Sequence, residues 1–268
     1  MTERQYATRV WFTKLDHNML RLRDIKLVES ISSLDNIPEG KTLINTINAY
    51  SYTVTRKDRI FAEALTEGDY LIPDGSSIVM ACRYINAKSR PLERVAGWDL
   101  FMHEMRRVNK MSTPDCHKKV MFMGSSERVL ELIRAKAADE YPHLDIITYS
   151  PPFKAVFSTE ENDAIIEAIN DVKPDLLWIG MTAPKQEKWT YANWQRLDIS
   201  CHVGTIGAVF DFYAGTARRA PLWWQEHSIE WLYRLISEPR RMWRRYIIGN
   251  TKFLWYMIQE KSGNSSCP

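Results

Sequence analysis

The chain has 268 residues, 45% of them apolar, and a formal net charge of +3. That length and apolar content supply a sizeable core, for one large domain or two small ones, and exclude a disordered or fibrous chain. So small a charge does not describe a general polyanion binder, and only a local cluster could carry such a role.

Cys82, Cys116, Cys201 and Cys267 are scattered with no Cys-x-x-Cys pair. They fit neither a disulfide framework nor a zinc site, and a reducing cytosol is expected. The opening "MTERQYATRVWFTKLDHNML" lacks the apolar core of a signal peptide. No apolar run reaches the roughly 18 residues of a membrane-spanning helix, so contact with a membrane is expected to be peripheral.

In chain order, "TLINTINAY" (42–50) reads as a strand ending in a polar turn, and "DRIFAEALTEG" (58–68) as an amphipathic helix closed by Gly68. "YLIPDGSSIV" is a second strand with its turn, and "LERVAGWDLFMHEMRRVNK" (92–110) a helix. "KKVMFMGSSERVLELIRAKAADEYPHLDIITYSPP" then runs strand, Gly-Ser turn, helix, strand, which is a βαβ unit. "TEENDAIIEAINDVKPDLLWIGMTAPKQEKWTYANW" repeats helix, strand, loop and helix, and "ISCHVGTIGAVFDFYAG" adds a last strand with a glycine-rich exit. This alternation predicts an α/β fold, a mostly parallel Rossmann-like sheet flanked by helices. After about Gly215 the composition turns rich in arginine and tryptophan, with Pro221 and Pro239 cutting the helical pattern. Residues 1–214 are read as the α/β domain and 215–268 as a helical appendage.

Ligands of open α/β sheets bind at the carboxyl ends of strands, so the polar residues there are the first candidates. They are Thr46 and Asn48, Asp74, the Gly124–Glu127 turn, Thr182 to Glu187, and Gly204 to Asp211. Gly124 and Ser125 open a helix whose amides suit a phosphate, or simply belong to a serine cap assisted by Glu127. Asp74 in "IPDGSS" is either an ordinary Pro-Asp-Gly turn residue or a general base projecting into the crevice. Lys185, Gln186 and Glu187 either cap a helix or, through Gln186, hold a ligand hydroxyl or amide. Gly204 and Gly207 allow close backbone approach or helix-to-strand packing. The six histidines show no i, i+4 pairing and read as surface or packing residues, and no Asp-x-Asp occurs to hold a metal on a diphosphate. A bound diphosphate would take its countercharge from arginine.

The stretch "EWLYRLISEPRRMWRRYIIGNTKFLWYMI" supplies those arginines. Arg234, Arg241 and Arg244 are seven and three apart, about one helical face, with Arg218, Arg219, Arg240 and Arg245 nearby. The interleaved tryptophans fit an anionic membrane surface, and the same side chains could serve a nucleic-acid-binding or non-enzymatic adaptor protein.

The strings "INTINAY", "IPDG", "ERVAGWDL", "GSSERVLEL", "KPDLLWIGMTAPKQEKW", "FDFYAGTARRAP" and "EWLYRLISEPRRMWRRY" stand in one order between about residues 40 and 250. In that order they resemble the WecG/TagA/CpsF family of bacterial glycosyltransferases. The resemblance implies transfer of N-acetylmannosamine, its uronic acid or glucose from a UDP-sugar to a sugar on undecaprenyl diphosphate. This would take place at the cytoplasmic membrane face, in surface polysaccharide or teichoic acid synthesis. It also implies Asp74 as catalytic base, Thr46, Asn48, Arg94 and Gln186 in the substrate pocket, and Arg234, Arg241 and Arg244 closing over the diphosphate. Gly124, Ser125 and Asp211 complete the expected donor site, and Arg240 and Arg245 are assigned to the membrane. An inverting single displacement without metal or other cofactor is expected, with no nucleic-acid partner and a homo-oligomer open.

Overall fold

The computed structural model describes residues 20–227 and 229–263. Six strands, β1 (Thr42–Ile47), β2 (Tyr70–Pro73), β3 (Lys118–Gly124), β4 (Leu144–Tyr149), β5 (Leu176–Gly180) and β6 (His202–Thr205), form one sheet in the order β2-β1-β6-β5-β3-β4. Every pairing is parallel. The predicted parallel α/β sheet is therefore present, and its strands read as apolar runs because both faces are covered.

Side chains alternate between those faces with the two-residue period of a strand. Val120, Phe122, Leu176 and Trp178 point to one layer, made by α4 (Gly97–Met111), α5 (Glu127–Glu140) and α8 (Gly207–Tyr213). Met121, Met123, Leu177 and Ile179 point to the other, made by α6 (Thr159–Val172) and α7 (Lys185–Asn193). A third cluster lies at the β2–β1 edge, where α1 (Ala49–Thr55), α2 (Arg59–Thr66) and α3 (Ser76–Tyr84) pack.

Four elements differ from the sequence expectation. The strand expected over 42–50 stops at Ile47, because Asn48 Oδ1 accepts from Ser51 N at 3.0 Å while Ser51 Oγ accepts from Asn48 N at 2.7 Å. This reciprocal cap starts α1 on "AYSYTVT", whose aromatic and β-branched residues favour strand by propensity alone. "SSIV" opens α3 instead of ending a turn, and the glycine-rich exit after β6 is the helix α8. The helix expected from residue 92 begins at Gly97.

Beyond Gly215 the chain forms α9 (Leu222–Glu226), α10 (Glu230–Ser237), α11 (Pro239–Trp243), a π-helical turn over Arg244–Ile248, and α12 (Gly249–Ser262). Pro221 caps α9 and Pro239 is the first residue of α11, positions where a missing N–H costs nothing. α12 returns to the sheet edge, where Phe253 and Met257 join the cluster containing Tyr52 and Phe61. Its buried Glu260 accepts from the backbone amides of Leu22 and Arg23 at 3.0 and 2.9 Å and from the Tyr52 hydroxyl. No described helix is long and apolar enough to cross a membrane.

Candidate active site

Parallel register brings the strand ends to one edge: Ile47 lies beside Pro73, Ile179 beside Thr205, and Gly124 beside Gly180. A cavity of about 800 Å³ opens there, between the strand ends and the helices that follow Gly215. Of the residues expected from the sequence to act as base or to bind the donor, Thr46, Asn48, Asp74, Ser125, Gln186, Asp211 and Arg234 line it.

Asp74 follows β2 directly, its amide donating to the carbonyls of Ile47 and Ile72 at 2.8 and 2.9 Å. The carboxyl touches the cavity interior but is otherwise enclosed by protein, and loss of solvent raises its pKa. Glu230 pushes in the same direction, while the positive charges of Arg94, Arg234 and Arg245 oppose it. A carboxyl so placed holds a proton at higher pH than an ordinary aspartate, which suits a general base.

Gln186 is a brace as well as a lining residue. Its Oε1 accepts from the amides of Met181 and Gly207, both at 3.1 Å, tying the β5 and β6 exits together. Its Nε2 donates to Glu187 Oε1 at 2.9 Å. Gly207 is required at this junction, since a Cβ there would stand 2.1 Å from Met181 O. Gly204 answers the other reading offered for these glycines, packing: a Cβ would meet the buried Trp178 ring at 2.2 Å.

Gly124 does not line the cavity. It sits at φ 125° against Gly180, and Ser125 follows in the left-handed region at φ 58°. The Ser125 amide is already donated to Gly180 O at 3.0 Å, and Ser126 Oγ caps α5 by accepting from Val129 N. Any anion at this turn would therefore meet the following amides of the α5 first turn, which have no partner within the helix.

The arginines arrive on aromatic rings. Arg219 lies over Trp98 at 5.3 Å, Arg234 over Phe212 at 4.9 Å and Arg245 over Tyr50 at 4.9 Å, and all three line the cavity. Burial, the largest influence, lowers the pKa of Arg219. A ring beneath a guanidinium holds it in place by cation–π attraction, and the guanidinium N–H groups can still meet an anion. Arg94 does not line the cavity; it pairs with Glu230 of α10 at 3.1 Å and so ties α10 to the body. Arg244 turns away, over Trp243 at 5.2 Å, into a smaller cleft with Lys57, Asp58 and Lys252. The side chain of Arg241 lies outside the described residues. Arg245, assigned from sequence to the membrane, thus stands in the cavity, and Arg244 does not.

The Glycosyl transferase WecG/TagA/CpsF family model matches residues 17–266. The chain belongs to that family. A relative from Bacillus subtilis (strain 168) is 28% identical over 226 residues, covering 84% of this chain and 83% of its own. Relatives from Bacillus spizizenii and Staphylococcus aureus (strain MW2) are 26% and 24% identical, covering 86% and 82% of this chain and 85% and 82% of theirs. Each of the three is named N-acetylglucosaminyldiphosphoundecaprenol N-acetyl-beta-D-mannosaminyltransferase.

As a WecG/TagA/CpsF glycosyltransferase the protein is an enzyme, and its cavity joins an enclosed carboxyl to guanidiniums held over aromatic rings. Sequence reasoning did not assign Arg219, Arg245 or Glu230 to it, and it named Glu187 only within the strand-end stretch Thr182 to Glu187, where Gln186 took the ligand role. Beyond its place after a strand end, Glu187 offered the signal of an acid in a helix's first turn, which surface caps share. Arg245 was hidden because the break at Pro239 and the π turn that contains it change the tail's helical faces, whereas Glu230 precedes both and shares the face of Arg234 on α10.

Proposed function

We propose that this glycosyltransferase moves a hexosyl group of the N-acetylmannosamine type from a UDP-sugar to the sugar of an undecaprenyl-diphosphate-linked saccharide, in surface polysaccharide or teichoic acid synthesis. The observation that carries this reading is the placement of Asp74, with its raised pKa, in the same cavity as Arg219, Arg234 and Arg245. The names of the relatives support the lipid-linked acceptor and the hexosamine.

In the proposed reaction Asp74 accepts the proton of the acceptor hydroxyl as that oxygen attacks the anomeric carbon. The bond from that carbon to the diphosphate breaks, and UDP leaves from the opposite face with the electron pair, inverting the configuration. Negative charge grows on the departing diphosphate, where the guanidiniums stabilise it without reorganising. They take the role that a metal ion has in other nucleotide-sugar enzymes.

The membrane contact is proposed for the outward side of the last helices. Phe253, Met257 and Glu260 of α12 face inward, whereas Leu254, Trp255 and Ile258 are exposed, as are Trp243 and Ile247 before them. Tryptophan and isoleucine beside arginine suit the interface of an anionic leaflet, placing the enzyme peripherally on the inner face of the cell membrane.

The test is a transfer assay with UDP-N-acetylmannosamine, its uronic acid and UDP-glucose, using a lipid-diphosphate N-acetylglucosamine acceptor. We expect a disaccharide-lipid product from one donor and an unchanged rate in EDTA. No transfer and no thermal stabilisation by UDP would refute the donor class. Loss of activity in EDTA with recovery on adding manganese would refute the metal-free scheme.

A further inference from the structure

Glu187 stands apart from the machinery described so far. It is on the first turn of α7, lines the cavity, and is only 2% exposed. Oε1 is held by Gln186 Nε2, but Oε2 is buried with no hydrogen-bond partner among the described residues. An acid in the first turn of a helix gains from the dipole whether or not it is buried, so the dipole does not explain the burial. Leaving a buried carboxyl oxygen unpaired is costly, and on a residue that lines the cavity it leaves room for a partner from outside the chain.

The surroundings favour a neutral partner. Burial is the largest influence on Glu187, pushing it up to about 7, and only Gln186 and its own backbone act against this. None of the cavity's cations bears on it, in contrast to Asp74, which feels three arginines. The ionised carboxylate, with no cation bearing on it, would repel a diphosphate. A hydroxyl fits in either protonation state, donating to the ionised Oε2 or accepting from the protonated one, and an amide N–H fits the ionised one.

We propose that Glu187 Oε2 is a specificity contact, taking a hydroxyl or amide N–H from the uncharged part of the nucleotide sugar. This rests on the UDP-sugar reading above. The hexose and the nucleoside both offer such groups, and the experiment separates them.

Affinities of UDP and UDP-N-acetylmannosamine are measured by calorimetry without acceptor, at pH 8, for the full chain and for Glu187→Gln. The substitution keeps an oxygen for Gln186 but replaces the accepting Oε2 by a donor. A loss of about 10- to 100-fold for the UDP-sugar is expected, the worth of a hydrogen bond to a charged group. If the loss appears only with the UDP-sugar, the contact is to the hexose; an equal loss with UDP puts it on the nucleoside. Unchanged affinity for both ligands overturns the inference and leaves the proposed function standing. A wild-type protein that binds neither overturns both. A ligand-side arm does not depend on the variant folding: UDP-sugars lacking one hydroxyl or N–H in turn are titrated into the wild type. One of them should bind at least tenfold more weakly, and uniform affinity across the set would also overturn the contact.

Discussion

Glu187 also predicts how stability varies with pH. In the folded protein its carboxyl is pushed by burial from 4.5 to about 7. Between those values the native state keeps a proton that the unfolded chain has released, so stability falls as pH rises through that window. At 1.36 kcal/mol for each pH unit, the ionised side chain costs the fold on the order of 3 kcal/mol above pH 7. Glu187→Gln retains the shape and the Gln186 contact but cannot ionise, so it escapes that cost. For a chain of this size, 1 kcal/mol moves the melting temperature by about 2–4 °C. The difference between variant and wild type should therefore move in the variant's favour by roughly 6–12 °C from pH 4.5 to pH 8. The assay is scanning calorimetry of both ligand-free proteins at the two pH values, in which all other titrating groups cancel. A difference in melting temperature that stays constant with pH would refute the reasoning.

Asp74→Asn should lower kcat by about 10² or more while UDP still binds, and should abolish the acid limb of the wild-type rate profile. Because the folded-state pKa of Asp74 is raised, that limb falls above the ordinary aspartate range, with activity rising as pH increases; rate profiles of both proteins check this. Arg245→Ala should weaken UDP binding by about 10-fold or more, whereas Arg244→Ala should leave it within about twofold, as titration of each would show. At the amino end of the strands, buried Glu104 accepts from His202 at 2.9 Å and Arg107 at 2.8 Å and contacts His103 at 3.0 Å. Burial pushes its carboxyl up, but these partners together outweigh it and hold it at about 2. Glu104→Ala should cost about 3–5 kcal/mol in denaturant unfolding and leave the UDP affinity of the folded protein unchanged.

The sheet was legible because its strands are buried on both faces and its helices carry a 3.6-residue period, so β3 to β6 and their helices stand out by pattern alone. α1 was not, since "AYSYTVT" has strand propensity and becomes helical through a cap between Asn48 and Ser51 and the packing of Tyr52 beneath α12. The strand-end rule placed Thr46, Asn48, Asp74 and Gln186 on one cavity without any knowledge of long-range contacts. It could not rank the tail arginines. Their direction depends on the start of α11 at Pro239, which separates Arg234 from the later arginines, and on the π turn at Arg244–Ile248, within which Arg244 and Arg245 lie. Spacing of seven and three identifies a face only in an unbroken helix.

The same integration of the tail decides how membrane contact can be tested. Removing everything after Gly215 would take away Arg219, Arg234 and Arg245, and with them Phe253, Met257 and Glu260, which pack on the body. Lost activity would then report a broken core and an incomplete cavity, whatever the membrane does. The outer side of α12 offers a cleaner perturbation, because Trp255 and Ile258 are 60% and 50% exposed and lie one turn apart, away from Phe253 and Met257. Inserting such side chains into an interface contributes about 1–2 kcal/mol each, so Trp255→Ser with Ile258→Ser should weaken binding to anionic vesicles by about 30-fold or more. The melting temperature and UDP affinity should be unchanged, as should turnover of a water-soluble acceptor analogue, while turnover of a vesicle-embedded acceptor falls with binding. Vesicle flotation and the two transfer assays measure these quantities. Equal flotation of variant and wild type would show that α12 is not the membrane face, and equal loss with soluble and embedded acceptors would show that its outer side serves the fold instead.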